Sequence, residues 1–290
     1  MSEPISVGLV GAGHWADIVH APSLAQGPET RLAGVWARRE EAAREITGSH
    51  GGVAYSRIED LFDNCDAVAF SVPPDVQAEL ALKAVRAGKP VLLEKPLAMD
   101  LDGARRLAEA IEEAGVVSQM VFTLRYSQAA RTFLKSLPAL DPFGGYAQFV
   151  SPVLNGGPFA TPWRLERGAL LDLGPHVIDM LDASLGRITG VRAHGDPLKW
   201  VGLLLEHETG AVSEASLSMA GHGDLPPAHI EVHGHQGSTR LTWDDLTDDT
   251  FTTIVTEFAA NVRAGTPHTL DAAHGLHIQR ILTDAEHQLT

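Results

Sequence analysis

Residues 7–16 read VGLVGAGHWA, an apolar run that ends on closely spaced glycines and passes into a helical pattern. Gly11, Gly13 and Ala16 fill the three small positions of Gly-x-Gly-x-x-Gly/Ala. In that pattern the first glycine makes a tight turn and the second lets backbone approach a pyrophosphate. The third small residue lets helix and strand pack closely. Backbone N–H groups at the helix start then face the phosphates. The stretch predicts a dinucleotide site with Gly11, Ala12 and Gly13 at the phosphates and His14 and Trp15 within reach of the cofactor. The alternative is a tight turn alone, with Trp15 as a packing residue.

Working outward, residues 5–10, 32–36, 67–72, 91–93 and 116–122 read as short apolar strands with helical patterns between them. PPDVQAELALKAVRAGKP (residues 73–90) opens on prolines and closes on Gly88 and Pro90. The next helix has Asp100 as N-cap and Gly115 as its stop. Strand and helix in alternation imply a parallel sheet covered on both faces. Residues 1–124 are therefore expected to form a doubly wound Rossmann domain. From about residue 144 the texture changes to consecutive strand-like runs with glycine-bearing turns, which implies a mostly antiparallel open sheet. Helices are expected near residues 174–185, 249–264 and 271–288. Residues 125–290 are thus expected to form an α+β substrate and oligomerisation domain.

The end of the second strand bears on which dinucleotide is bound. An Asp or Glu there would hold the ribose hydroxyls of NAD. The chain instead has Ala37, followed by Arg38 and Arg39. A guanidinium can grip a 2′-phosphate in bidentate fashion, where a carboxylate would repel it. The cofactor is predicted to be NADP(H) in preference to NAD(H), with Arg38 the principal contact and Arg39 supporting. The alternative is a solvated basic pair opening the next helix.

Lys and Arg number 22 against 37 Asp and Glu, a formal charge of −15 over 290 residues. That balance argues against nucleic acid or an anionic membrane as the main partner, while still allowing a small anion in a local basic pocket. The single cysteine, Cys65, permits no intramolecular disulfide and suits a reducing compartment. No signal-peptide pattern and no run of roughly 20 apolar residues is visible, so a soluble, cytoplasmic protein is expected.

In VLLEKPLAMD (residues 91–100) an apolar strand runs into Glu94, Lys95 and Pro96. The C-terminal strand ends of a parallel sheet point at the ligand crevice. Hydride transfer to a carbonyl builds negative charge on oxygen, which a cationic donor such as Lys95 would stabilise. Pro96 fixes the turn and biases Lys95 toward extended backbone. Glu94 would orient Lys95 or the carboxamide side of the cofactor. An ordinary solvated pair is the alternative.

In LLDLGPHVID (residues 170–179), Asp172, His176 and Asp179 fall at spacings of four and three. On a helix that starts early enough they share a face, where carboxylates would set the imidazole's tautomer for acid–base work. The alternative makes Asp172 an N-cap and His176 a core residue. Asp179 is expected to be structural. Trp163 and Arg164 precede this helix and would contact substrate or cofactor. His222, His229, His233 and His235 lack recognisable ligand spacing, so no metal is predicted. WDDLTDD (residues 243–249) reads as a solvated acidic loop.

Taken in order, Gly11-Ala12-Gly13, SVPPDVQAELALKAVRAGKPVLLEKPLAMD (residues 71–100) and RGALLDLGPHVID (residues 167–179) resemble the glucose–fructose oxidoreductase/inositol dehydrogenase (Gfo/Idh/MocA-type) family. The likeness covers the first domain and extends to about residue 182. It implies a Rossmann domain followed by an α+β domain whose open sheet forms oligomer contacts, hence a homodimer or homotetramer. It also implies an NAD(P)-dependent oxidoreductase acting on hydroxyl or carbonyl carbons of sugars, cyclitols or related small molecules. By resemblance, Lys95 lies beside the nicotinamide and the reacting oxygen, and Asp172 and His176 complete a catalytic trio. Pro73 and Arg125 are expected among the cofactor contacts, and Lys95, Trp163, Arg164 and His176 among the substrate contacts. Gln77 departs from the family, which commonly has a histidine there, and the chain is shorter than is usual. A cofactor-binding regulator without catalysis, or a glycosidase using bound NAD, remain as other classes.

Overall fold

β1 (Ile5–Val10) pairs in parallel with β2 (Thr30–Trp36) on one side and with β4 (Ala67–Phe70) on the other. The computed structural model that shows this describes residues 3–243 and 250–289. With β3 (Val53–Tyr55), β5 (Val91–Leu93) and β6 (Ser118–Met120) the order is β3-β2-β1-β4-β5-β6, parallel throughout. Strands β4 and β5 are buried along their whole length, as AVAF and VLL must be when helices cover both faces. Those helices include α1 (Ala21–Gln26), α2 (Glu40–His50), α3 (Ile58–Asp63), α4 (Pro74–Arg86) and α5 (Leu101–Ala114). Asp100 caps α5 by accepting from the Gly103 N–H at 2.7 Å, and Gly115 ends it in the left-handed region. β4 stops two residues short of the expected end because Pro73 already caps α4. β3 has only three residues after Gly51-Gly52, too few to show a period.

The second sheet also has six strands: β7 (Pro142–Val150), β8 (Ile188–Asp196), β9 (Trp200–His207), β10 (Val212–Ser218), β11 (His229–Gly234) and β12 (Gly237–Thr242). Their order is β12-β11-β7-β10-β9-β8, antiparallel except where β7 and β10 run parallel. The alternating burial along β9 marks one covered face and one open face, and the open face shows Tyr146, Leu204 and Val212. Two helices went unpredicted, α6 (Gln128–Ser136) and α7 (Pro162–Asp172), and so did the edge strand β8, which carries glycines and charge. Helix α8 (Gly174–Leu185) packs against β7, β10 and β11.

The chain divides into two units, Met1–Val121 with Phe251–Leu276 and Phe122–Thr250 with His277–Thr290. A single cut at 124/125 does not describe that division, because the chain returns to the first unit near its end. Within that unit α9 (Thr250–Ala264) receives the Gln119 carboxamide at Ile254 O, 3.0 Å, and the Met120 N–H donates to Leu270 O at 2.7 Å. Arg263 pairs with the Glu29 carboxylate. α10 (Ala272–Glu286) spans the dividing point. In the second unit its His277 meets Asp182 at 2.8 Å and its Glu286 meets Arg167 at 2.6 Å.

Of the acidic stretch at residues 243–249, all but Trp243 lies outside the described residues. Among the described residues no helix is long and apolar enough to cross a membrane, and no cluster of three or more His, Cys, Asp or Glu could hold a metal ion. His229 is buried with Nδ1 3.2 Å from Pro227 O, and His233 lies 3.2 Å from Glu231.

Candidate active site

At the end of β1 the chain turns through Gly11, whose φ is 118°. A Cβ there would fall 2.1 Å from Ser71 O, so both the angle and the space require glycine. Its N–H donates to Trp36 O at 2.9 Å, which fixes the turn against β2. A Cβ on Gly13 would meet nothing within 4 Å, so the second glycine borders open space, as an approaching pyrophosphate requires. Ala16 is fully buried where the first helix packs, and that helix runs as a π-helix over Ala16–His20 before α1. The turn therefore fits a dinucleotide. Arg38 and Arg39 are exposed just past β2, with Ala37 where an acidic residue would hold ribose hydroxyls.

Trp15 has a second role that the sequence did not show. Its indole N–H donates to Glu94 Oε1 at 2.9 Å, and its ring meets Phe251 edge to face at 5.6 Å. The buried His20 places Nε2 2.7 Å from the same Glu94 oxygen. His20 was missed; the available signal was a histidine on the buried face of the helix that follows the glycine turn. Burial works against ionising Glu94, but the hydrogen bond and charge of His20, with help from Lys95 and Trp15, outweigh it. The carboxyl is held below the usual carboxylate range.

Lys95 follows directly, half-buried, at the C-terminal end of β5. Its N–H donates to Glu94 Oε2 at 3.2 Å, and the Lys95–Pro96 peptide bond is cis. Gln77 on α4 is fully buried and bonds to the backbone of this turn on both sides of Lys95. Pro73, at the N-cap of α4, is exposed and accepts the Gln77 N–H at 2.9 Å.

In the second unit the sequence-predicted residues gather on α7 and α8. A bend at Gly168, φ 68°, interrupts α7; a Cβ there would strike Pro197 O at 2.1 Å. Asp172 ends α7, Leu173 is helical in backbone, and α8 starts at Gly174. Pro175 in the first turn lacks an N–H to continue the ladder. Asp172 and His176 therefore sit one turn apart across a break. The N-cap of α8 is Leu173, not Asp172. Asp172 is buried with Oδ2 2.9 Å from Arg164 Nε, and the Arg164 guanidinium lies 4.5 Å over the Trp163 ring. Arg164, expected at the substrate, also pairs with Asp172. Asp179 is fully buried and accepts from Arg125 Nη1 at 2.8 Å. Arg125 is thereby tied within the second unit, and His176 is half-buried on the same helix.

A family model described as "Oxidoreductase family, NAD-binding Rossmann fold" matches residues 5–122, and "GFO/IDH/MocA C-terminal domain" matches residues 142–240. The chain belongs to the Gfo/Idh/MocA family. The first unit of this Gfo/Idh/MocA protein is accordingly an NAD(P)-binding Rossmann unit. One relative is the dTDP-3,4-didehydro-2,6-dideoxy-alpha-D-glucose 3-reductase of Actinomadura kijaniata. It is 30% identical over 212 residues, 71% of this chain and 61% of that protein. The chain spans about half the length of other curated relatives it matches. Among solved structures, GenD2 from gentamicin A biosynthesis, in complex with NAD, matches with a TM-score of 0.85 at 23% identity, covering 99% of this chain and 95% of that one. KijD10, a 3-ketoreductase from Actinomadura kijaniata in complex with NADP, matches with a TM-score of 0.81 at 22% identity, covering 99% and 98%. At those identities the likeness speaks for the fold.

Proposed function

We propose that the protein is an NAD(P)-dependent oxidoreductase acting on a hydroxyl or carbonyl carbon of a sugar, cyclitol or related small molecule. The bound cofactor supplies or accepts the hydride. Lys95 gives or takes the proton at the reacting oxygen, His176 shares that proton work, and Asp172 orients His176. Trp163 and Arg164 border the substrate. The observation that carries this reading is the presentation of Lys95 at a strand end of the same unit whose glycine turn fits a pyrophosphate. The sugar 3-reductase among the relatives supports a sugar carbon as the site of reaction.

The cofactor in this reading is NADP(H), held at its 2′-phosphate by Arg38 and Arg39, with His14, Pro73, Glu94 and Arg125 as further contacts. The protein works in the cytoplasm as a homodimer or homotetramer, using the open face of the second sheet, and a sizing measurement in solution checks that assembly. The functional test is Lys95→Met. It should bind NADPH as the parent does in a fluorescence titration and lose turnover by about 10²–10⁴-fold on whichever polyol or ketone the parent uses. Unchanged turnover would remove Lys95 from its role. Tighter binding of NADH than of NADPH would overturn the cofactor assignment.

A further inference from the structure

We propose that Gln77 is the positioning residue for Lys95, a role that rests on the catalytic reading of Lys95 given above. Its side chain is fully buried, and both ends of its carboxamide are used. Nε2 donates to Glu94 O at 2.7 Å, Pro96 O at 3.2 Å and Leu97 O at 3.2 Å, while Oε1 accepts from the Glu94 N–H at 2.9 Å.

The pairing with Glu94 copies a strand neighbour. One N–H and one C=O of a single residue are matched by one C=O and one N–H, as in a sheet ladder. Gln77 therefore continues the ladder beyond Leu93, where β5 ends. The bonds to Glu94 O and Pro96 O then bracket Lys95 on both sides. Pro96 has no N–H to give, so these carbonyls and the Lys95 N–H, which goes to the Glu94 carboxylate, leave the turn little freedom.

The chemistry selects this side chain. An ionised glutamate would put an acceptor oxygen where Nε2 meets three carbonyls, with no donor for any of them. An asparagine is shorter by one methylene, about 1.5 Å, and cannot span both ends. A leucine matches the volume and leaves buried backbone groups unmet. Glu94 adds a second anchor, since Trp15 and His20 hold its carboxylate. Lys95 is thus placed by its neighbours' backbone, and Gln77 sets that backbone.

The test reads the Lys95 amine directly. Parent, Gln77→Leu and Gln77→Asn proteins are pulsed with acetic anhydride across a pH series, and Lys95 acetylation is quantified by peptide mass spectrometry. Exposed Lys135 and Lys199 serve as internal references. In the folded Leu variant the Lys95 rate relative to those references should change by at least about threefold. The variant should still bind NADPH at the glycine turn, which Gln77 does not form, while Glu94, a proposed cofactor contact, shifts together with Lys95. Where a substrate is found, kcat should fall at least about tenfold with KM held, the signature of a misplaced group.

A folded variant with an unchanged Lys95 profile overturns the proposal. If the Leu variant does not fold, the Asn variant is judged by the same criterion. Failure of both to fold makes Gln77 a stability residue only and also overturns it. A parent protein that binds NADPH yet turns over no sugar or polyol counts against the proposed function, and the labelling result still decides Gln77.

Discussion

In the first unit Lys95 leaves the end of a strand buried on both faces. In the second, His176 rides a helix that covers one face of a sheet whose other face is open. Both sheets have six strands, yet they fix their chemical groups by different means. Around Lys95 the bonds run to backbone: Gln77 to three carbonyls, and Glu94 Oε2 to the Lys95 N–H. Around His176 two buried aspartates are each met by an arginine, Asp172 by Arg164 and Asp179 by Arg125. Backbone bonds set a position firmly. Around His176 the bonds instead join side chain to side chain, so charge pairing and not backbone holds the two carboxylates.

The sharpest way to break this comparison is to empty the doubly covered sheet. Leu92→Ala should cost about 4 kcal/mol, since the site is closed on both faces; urea denaturation would measure it, and a cost under about 1 kcal/mol would contradict the packing. Next in size, Arg125→Met leaves the Asp179 carboxylate buried without its guanidinium and should cost about 3 kcal/mol at neutral pH. A near-neutral result in the same denaturation assay would make that arginine ornamental.

Trp15→Phe keeps the ring on Phe251 but removes one donor to Glu94, and should cost about 1.5 kcal/mol. The sign with pH follows from the Glu94 carboxyl being depressed in the folded state. Its contribution is present above the unfolded carboxylate pKa and disappears as pH falls through the lower folded value. The gap between parent and variant in thermal melts should therefore shrink on acidification, and a gap that widened would refute the assignment. At the small end, Leu204→Ala on the open sheet face should cost the isolated chain under about 0.5 kcal/mol. In the assembled protein a larger loss that depends on protein concentration is expected, and its absence would count against the proposed interface on that face. Last, burial pushes the Cys65 thiol up to about 11. Iodoacetamide should label it slowly at pH 8 in the folded protein and readily in urea; fast native labelling would contradict that burial.

The first unit was legible because its signals are local. VGLVGAGHWA declares a strand, a turn and a helix within ten residues, and Asp100 and Gly115 bound α5 as their chemistry dictates. What stayed hidden depends on distant partners. Trp15 and His20 meet Glu94 across 79 and 74 residues, and no spacing rule links them. Gln77 looked like a departure at one polar contact, and only the folded chain shows it bonded along the Lys95 turn. In the second unit α7 was unreadable because Gly168 bends it and because Pro162, Arg164 and Arg167 dilute its apolar face. The pairing of Arg164 with Asp172 was hidden because the two, eight residues apart, become adjacent only after that bend.

The return of the chain to its first unit also bears on how the protein is made. Gln119 is fully buried and donates to Ile254 O, Met120 N–H reaches Leu270 O, and Ser118 Oγ takes the Ala272 N–H at 3.1 Å. A fragment ending at residue 124 lacks every one of those partners and leaves the flank of β6 unfinished. Domains that are contiguous in sequence can complete themselves in order as they leave the ribosome. Here the leading unit waits for residues synthesised after the whole of the second sheet, so the unit begun first is finished late.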